Sequence, residues 1–217
     1  MTNKEIRNIP FDLFKRSIDL FGSLFLLILF LPIMIVTAII IKQSSPGPVL
    51  FRQKRVGKNS KQFLMYKFRS MYIGDNDKRL KDNYPELWKK YKDAGWKLPM
   101  SEDPRITPVG KIIRSLTIDE FPQLINVLKG DMSLIGPRAY REEELQEYEE
   151  KYPQTKDQIK QIRSVKPGIT GLWQTSGRNE LTFEQRARLD CHYIHNRSII
   201  QEIKIIIKTP MAMLSRW

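Results

Sequence analysis

Between Leu20 and Ile41 the chain runs for 22 residues without a charge, interrupted near its middle by Pro32. As one helix at ~1.5 Å per residue this run reaches about 33 Å, close to the hydrocarbon thickness of a bilayer, so it places the protein in a membrane. Lys4, Arg7, Lys15 and Arg16 precede the run, and Lys42, Arg52, Lys54, Arg55 and Lys58 follow it. A spanning helix normally carries its basic excess on one side, and flanks this even favour both ends on the cytoplasmic side. Pro32 supplies a means: a proline inside a helix removes a hydrogen bond and crowds the preceding turn, which can bend the segment into a re-entrant hairpin. An ordinary single span is the alternative. The run is too long, begins too late and lacks the small-residue cleavage site expected of a removed signal peptide.

About 170 residues remain beyond the run, enough for one compact domain with a real core. The expected division is a membrane segment over 1–45 and a cytosolic domain over 46–217, with Ser44, Ser45, Pro46, Gly47 and Pro48 as the punctuation between them. A net charge of +13 suits nucleic acid, anionic lipid headgroups or phosphorylated substrates, and the membrane segment favours the last two. The single cysteine, Cys191, excludes an intramolecular disulfide and fits a reducing cytosolic face. Cys191, His192 and His195 are the only Cys and His residues, and the adjacent pair chelates zinc poorly.

Val49–Arg52 and Gln62–Tyr66 read as short extended pieces around a basic loop, Gln53–Lys61. From Ile73 to Asp103 the chain is polar, yet Tyr84, Leu87, Trp88, Tyr91 and Trp96 recur among lysines in a helical rhythm. Such a helix suits either the headgroup level of a membrane or the outside of the core. Phe121, Leu124, Ile125 and Leu128 share a helical face that Lys129 and Gly130 terminate. Ile199, Ile200, Ile203, Ile206 and Ile207 give a second amphipathic stretch suited to docking on lipid. The fold expected is α/β: an N-terminal re-entrant membrane helix, a small mixed α/β cytosolic catalytic domain with few strands, and amphipathic interfacial helices.

An acidic pair, Asp119 and Glu120, opens the helix that Pro122 enters. Thr117-Ile118-Asp119-Glu120 fits a capping box, and acids are favoured at helix starts by the macrodipole alone. The same dipole favours the ionised carboxylate, the form needed to attack phosphorus or to hold Mg²⁺.

The company of this pair points beyond capping. Around it stand Lys67-Phe68-Arg69-Ser70-Met71, Asp103-Pro104-Arg105-Ile106-Thr107, Arg114 to Leu124, Gly130-Asp131-Met132-Ser133-Leu134-Ile135-Gly136-Pro137-Arg138, and Lys166-Pro167-Gly168-Ile169-Thr170-Gly171-Leu172-Trp173-Gln174 through Gly177-Arg178-Asn179. With these phrases the chain closely resembles, from about Lys15 to its C-terminus, the bacterial sugar transferase family of monotopic phosphoglycosyl transferases. The resemblance implies a re-entrant membrane helix broken at Pro32 and a domain on the cytoplasmic face of the bacterial inner membrane. It also implies Mg²⁺ and a ping-pong transfer of a sugar 1-phosphate from a UDP-sugar to undecaprenyl phosphate, the first membrane step of exopolysaccharide assembly. Asp119 is then the nucleophile, expelling UMP to leave a phosphosugar on its carboxylate, and Glu120 its metal or proton partner, with both as metal ligands. Lys67 and Arg114 become phosphate contacts, Arg114 because its guanidinium can hold two oxygens at once. Arg69, Arg105, Pro137, Arg138, Gln174, Arg178 and Asp190 are carried over as substrate-binding positions. Inner-leaflet anionic lipids are implied partners, nucleic acid is not, and a homo-oligomer is left open.

Two departures from the family pattern stand out. Arg138 lies where the family has Pro-Arg-Pro, but Ala139 replaces the second proline, so a less rigid loop is expected; Leu31 precedes Pro32 where a small polar residue can help the break. Pro167, Gly168 and Gly171 suit either backbone contacts to phosphate or a tight structural loop. The stretch Gly171 to Phe183 leans toward a hexose, galactose or glucose, over N-acetylated sugars. The alternative from another class is a membrane-anchored basic protein that binds lipid or nucleic acid without catalysis. It leaves the shared pattern of Lys67, Arg114, Asp119 and Glu120 unexplained, and no nucleic-acid-binding signature is present.

Overall fold

The computed structural model describes residues 9–94, 96, 98–177 and 181–214, with side chains from 11 to 212. The apolar run lies within one helix, α1 (Ile9–Ser44), which runs on through an exposed Pro32. It is long and apolar enough to cross a membrane, and only 11% of its most apolar stretch is buried against the protein, unlike the core helix of a soluble domain. Phe21, Phe25, Ile28 and Val36 point outward. The buried face is narrow and specific: Ile41 packs with Phe68 and Ile113, while Met34 and Ala38 line the same small core.

Both flanks of α1 are fastened to the rest of the chain. β1 (Leu50–Val56) and β2 (Gln62–Phe68) form an antiparallel hairpin in which Leu50 faces Phe68 and Val56 faces Gln62. The first strand therefore extends through the basic residues expected to form a loop, leaving only Gly57–Lys61 as the turn. Just beyond β2, Arg69 is buried and donates to the carbonyls of Ile41, Ser45 and Pro46 at the C-terminal end of α1, where the helix carries its negative partial charge. At the other flank Arg16 donates to the Val127 and Leu128 carbonyls at 2.7 and 2.9 Å, and Asp19 accepts from Ser133 Oγ and the Leu134 amide at 2.9 and 3.0 Å.

The polar stretch after β2 folds as α2 (Asn76–Asn83) and α3 (Pro85–Asp93), so its aromatic rhythm is helical in two pieces. Thr107 caps α4 (Pro108–Ser115) by accepting from the Gly110 amide; a side chain at Gly110 would meet the Ser70 carbonyl at 1.9 Å, which explains the glycine. α5 (Gln123–Lys129) ends at Gly130, whose φ of 86° is the left-handed conformation expected of a helix-terminating glycine. Short parallel strands β3 (Ser133–Ile135) and β4 (Gly168–Thr170) follow, separated by α6 (Glu142–Lys151) and α7 (Lys156–Arg163). α8 (Phe183–His195) starts at a Thr182–Gln185 capping box, and α9 (Ile199–Leu214) closes the described chain.

The result is a mixed α/β fold with two two-stranded sheets among the described residues. One core gathers Tyr140, Leu145, Tyr148, Ile159, Phe183 and Ala187; a second joins Met65, Leu124, Val127, Ile135, Tyr193 and Ile205 beneath α1. α9 inverts the usual surface helix: Glu202 and Ile205 are buried while Ile200, Ile203, Ile207 and Met211 face outward. Glu202 meets Lys15 of α1 at 2.7 Å, which joins the two apolar-faced helices.

Candidate active site

Asp119 and Glu120 do not form the capping box that their spacing suggests. Thr117 takes the left-handed conformation, φ 58°, and ends α4 instead of starting α5; its hydroxyl is buried without a hydrogen-bond partner. The acidic pair sits on the following 3₁₀ turn, Ile118–Glu120, between the two helices. This kink turns Asp119 inward, 4% exposed, and leaves Glu120 at the rim.

Lys67, at the end of β2, meets both carboxylates. Its Nζ donates to Glu120 Oε1 at 2.7 Å and lies 3.9 Å from Asp119 Oδ2. Asp119 Oδ1 is buried with no side-chain or backbone hydrogen-bond partner, a costly arrangement that leaves this oxygen available to a ligand. Burial pushes the Asp119 carboxyl up to about 6, with Glu120 adding to the rise, while Lys67 and Arg114 pull it down. Arg114, in the last turn of α4, is therefore within electrostatic reach of the carboxylate. The next ring in the chain, Phe121, stacks on Phe30 of α1 at 4.5 Å, so the acidic turn lies beside the middle of the apolar helix.

Arg138 is coupled to the same turn. Its charge is favoured because Glu144, Tyr140 and Glu120 together outweigh burial, which links it to the acidic turn. Its Nε has no hydrogen-bond partner and its guanidinium sits 5.5 Å from the Trp173 ring and 5.9 Å from Tyr140. Ala139 in place of proline does not leave this loop loose. Arg55 donates to the Ala139 carbonyl at 3.0 Å, the Val56 amide to the Tyr140 carbonyl at 2.9 Å, and the Gly168 amide to the Pro137 carbonyl at 2.8 Å. Gly168 is thus structural: its amide is committed to Pro137, and a Cβ there would meet the Gly136 amide at 2.0 Å.

The remaining expected positions divide. Arg69 and Arg105 are buried and committed internally, Arg69 to the end of α1 and Arg105 to Asp103 at 2.8 Å and Asp77 at 2.9 Å, so neither faces the acidic turn with free donors. Gln174 folds back on its own turn, donating to the Ile169 carbonyl at 3.3 Å. Asp190 lies behind the Arg138 loop, 1% exposed, accepting from the Tyr140 hydroxyl at 3.4 Å; burial pushes its carboxyl up to about 8 against the Arg138 amide and Arg186. Arg178 lies outside the described residues. Glu144 was invisible in an acidic run of sequence, yet it is buried 3.9 Å from both Arg55 and Arg138. Nothing in the run Arg141-Glu142-Glu143-Glu144 marks it out beyond its helical phase.

Asp119 and Glu120 suit Mg²⁺. Both are hard oxygen donors, Asp119 Oδ1 is unclaimed by the protein, and two carboxylates suffice for an ion that completes its shell with water and substrate phosphates.

The profile of a family described as bacterial sugar transferase matches residues 11–216. Among curated proteins, the chain is 35% identical over 206 residues to the exopolysaccharide production protein ExoY of Sinorhizobium fredii, covering 93% of this chain and 86% of that protein. It is 39% identical to the undecaprenyl-phosphate galactose phosphotransferase of Salmonella typhimurium, covering 93% of this chain and 40% of the relative. A protein of Aeromonas hydrophila, UDP-N-acetylgalactosamine-undecaprenyl-phosphate N-acetylgalactosaminephosphotransferase, is 37% identical, with 93% and 44% covered. The chain thus spans most of the first relative and less than half of the other two.

Proposed function

The chain belongs to the bacterial sugar transferase family, and we propose that it transfers a sugar 1-phosphate from a UDP-sugar to undecaprenyl phosphate at the cytoplasmic face of the inner membrane. The observation that carries this reading is the Asp119 carboxylate, buried beside the apolar helix with one oxygen unclaimed, with Lys67 and Arg114 acting on it and Arg138 coupled to its neighbour Glu120.

Asp119 attacks the phosphorus that bears the sugar. A new O–P bond forms, the bond to the UMP oxygen breaks, and UMP leaves with the electron pair, so a phosphosugar remains on Asp119. A phosphate oxygen of the lipid carrier then attacks the same phosphorus, releasing the carboxylate and giving polyprenol-diphosphate-sugar. Lys67 and Arg114 stabilise the charge that develops on the equatorial oxygens, and Arg138 holds the nucleotide diphosphate. Glu120 orients Lys67 and, with Asp119, would hold Mg²⁺. When bound, Mg²⁺ neutralises the diphosphate and polarises the phosphorus centre.

The stacking of Phe121 on Phe30 supports this placement, because an acceptor whose chain is dissolved in lipid must present its phosphate near the depth of α1. The fastening of both α1 flanks to one domain supports a helix that enters and leaves on the same side. Galactose and glucose lead for the sugar, although relatives named for galactose and for N-acetylgalactosamine are similarly close.

The test is a panel of UDP-sugars with purified protein and Mg²⁺. Without acceptor, the correct donor gives one burst of UMP and a phosphosugar adduct on Asp119 by mass spectrometry, and Asp119→Asn gives neither. UMP released only with acceptor, and never an adduct, replaces the two-step scheme with direct transfer.

A further inference from the structure

The excursion between β2 and α4, residues 72–105, is tied to both halves of the site. At its base Met71 bridges Ile106, the Tyr72 amide donates to the Arg105 carbonyl and the Thr107 amide to the Ser70 carbonyl, both at 3.0 Å. It thus leaves the domain just after Lys67 and rejoins it just before the helix that carries Arg114. At its far end Trp88, Tyr91 and Trp96 form an aromatic box with edge-on contacts of 5.6 and 6.1 Å.

Arg141, three residues beyond Arg138, projects into that box. Its guanidinium lies 4.1 Å from the centroid of Trp96, Nη2 donates to the Tyr91 hydroxyl at 3.3 Å, and Nη1 pairs with Asp77 of α2 at 2.9 Å. The other oxygen of Asp77 takes Arg105 at 2.9 Å, and Arg105 in turn lies 4.4 Å from the Tyr91 ring and pairs with Asp103. Stacking and ion pairing on one guanidinium strengthen each other where water is partly excluded, and the Arg141 side chain is 12% exposed. The carbonyls of Pro137, Ala139 and Tyr140 accept from Gly168, Arg55 and Val56 in the body of the domain, whereas Arg141 fastens the loop to the excursion.

We propose that residues 72–105 act as a latch that fixes the Arg138 loop for the nucleotide donor, with Asp77 and Arg141 as its positioning residues. This rests on the reading of Arg138 as a donor ligand. Neither latch residue touches donor; each acts through the angle at which the loop presents Arg138. An excursion anchored at the Lys67 and Arg114 side and locked to the Arg138 side also sets the spacing between the phosphate contacts.

Asp77 is partly exposed, so Asp77→Asn removes the bridging charge at constant shape without opening the core. The expected result is an increase of about 10-fold in KM for the UDP-sugar, with kcat held within about twofold. Backbone amides 138–141 exchange faster with solvent while those of α5 do not change, and Asp77→Glu restores both. In an Arg138→Ala background Asp77→Asn adds nothing further, because its effect passes through Arg138. An unchanged KM, or a rise that multiplies with that of Arg138→Ala, overturns the proposal. Arg141→Lys, which keeps the charge but loses the planar stack, repeats the measurement should Asp77→Asn fold poorly. Calorimetric titration with UDP separates the two readings: no UDP binding to wild type removes the donor role of Arg138, whereas equal binding to wild type and Asp77→Asn removes the latch alone.

Discussion

Asp119 is held between opposed influences: burial and Glu120 favour its neutral form, Lys67 and Arg114 its charged form, and the balance lies at about 6. Changing one neighbour therefore moves the titration in a direction fixed in advance. In metal-free protein with labelled aspartate carboxyl carbons, NMR should follow Asp119 near 6. Lys67→Met, which deletes a positive charge, should raise that value, and Glu120→Gln, which deletes a negative one, should lower it. Movement in the same direction for both variants excludes the arrangement. Because the folded value lies above the ordinary 3.8, the folded state holds a proton that the unfolded chain has lost. The contribution of Asp119 to stability thus falls as pH rises from about 4 to about 6 and is flat above. Asp119, the proposed nucleophile, is ionised at neutral pH at some cost to stability, a common feature of reacting groups.

At the scale of elements, the joint between α1 and the domain combines a narrow apolar face with a few buried polar side chains. Asp19 is 2% exposed and takes Lys15, Ser133 and the Leu134 amide together. Asp19→Ala orphans two buried donors and weakens the hold on Lys15, a loss of roughly 2–3 kcal/mol, which for a chain of this size lowers Tm by about 5–10 °C in detergent. A shift under 1 °C shows that apolar contacts alone seat the helix. Several of these elements were legible beforehand. The charge-free run gives α1, the spacing of Phe121, Leu124, Ile125 and Leu128 gives α5, and Gly130 marks its end, because each signal is local. The left-handed Thr117 was not legible: a threonine at that spacing reads as a cap, whereas here it follows the end of α4 and turns the chain into the acidic 3₁₀ turn. Nor were the commitments of Arg69 and Arg105, since a basic residue in a family phrase looks the same whether it meets substrate or a helix end 24 residues away. Lys67 and Glu120 meet because the hairpin and the turn between α4 and α5 place the end of β2 against the acidic 3₁₀ turn.

For the whole molecule the outward apolar surfaces decide orientation. α1, α9, Ile112 of α4 and Leu116 just beyond it present large aliphatic and aromatic side chains to the outside, and the acidic turn lies between α4 and the Phe30 contact to α1. Arg16 and Asp19 bind α5 and β3 at one flank of the apolar run, and Arg69 binds Ile41 at the other. One domain thus holds both flanks. Were α1 to span, that domain would have to reach both faces of the bilayer, and a chain carrying +13 would bury charge in hydrocarbon to do so. Both flanks should therefore lie in the cytoplasm. With Cys191 replaced by serine, Asn3→Cys and Ser60→Cys should each resist an impermeant maleimide in intact cells and react after the inner membrane is opened. If Asn3→Cys labels from outside while Ser60→Cys stays protected, α1 crosses the membrane, and the contacts of Arg16 and Asp19 cannot form in the bilayer as they do in this fold.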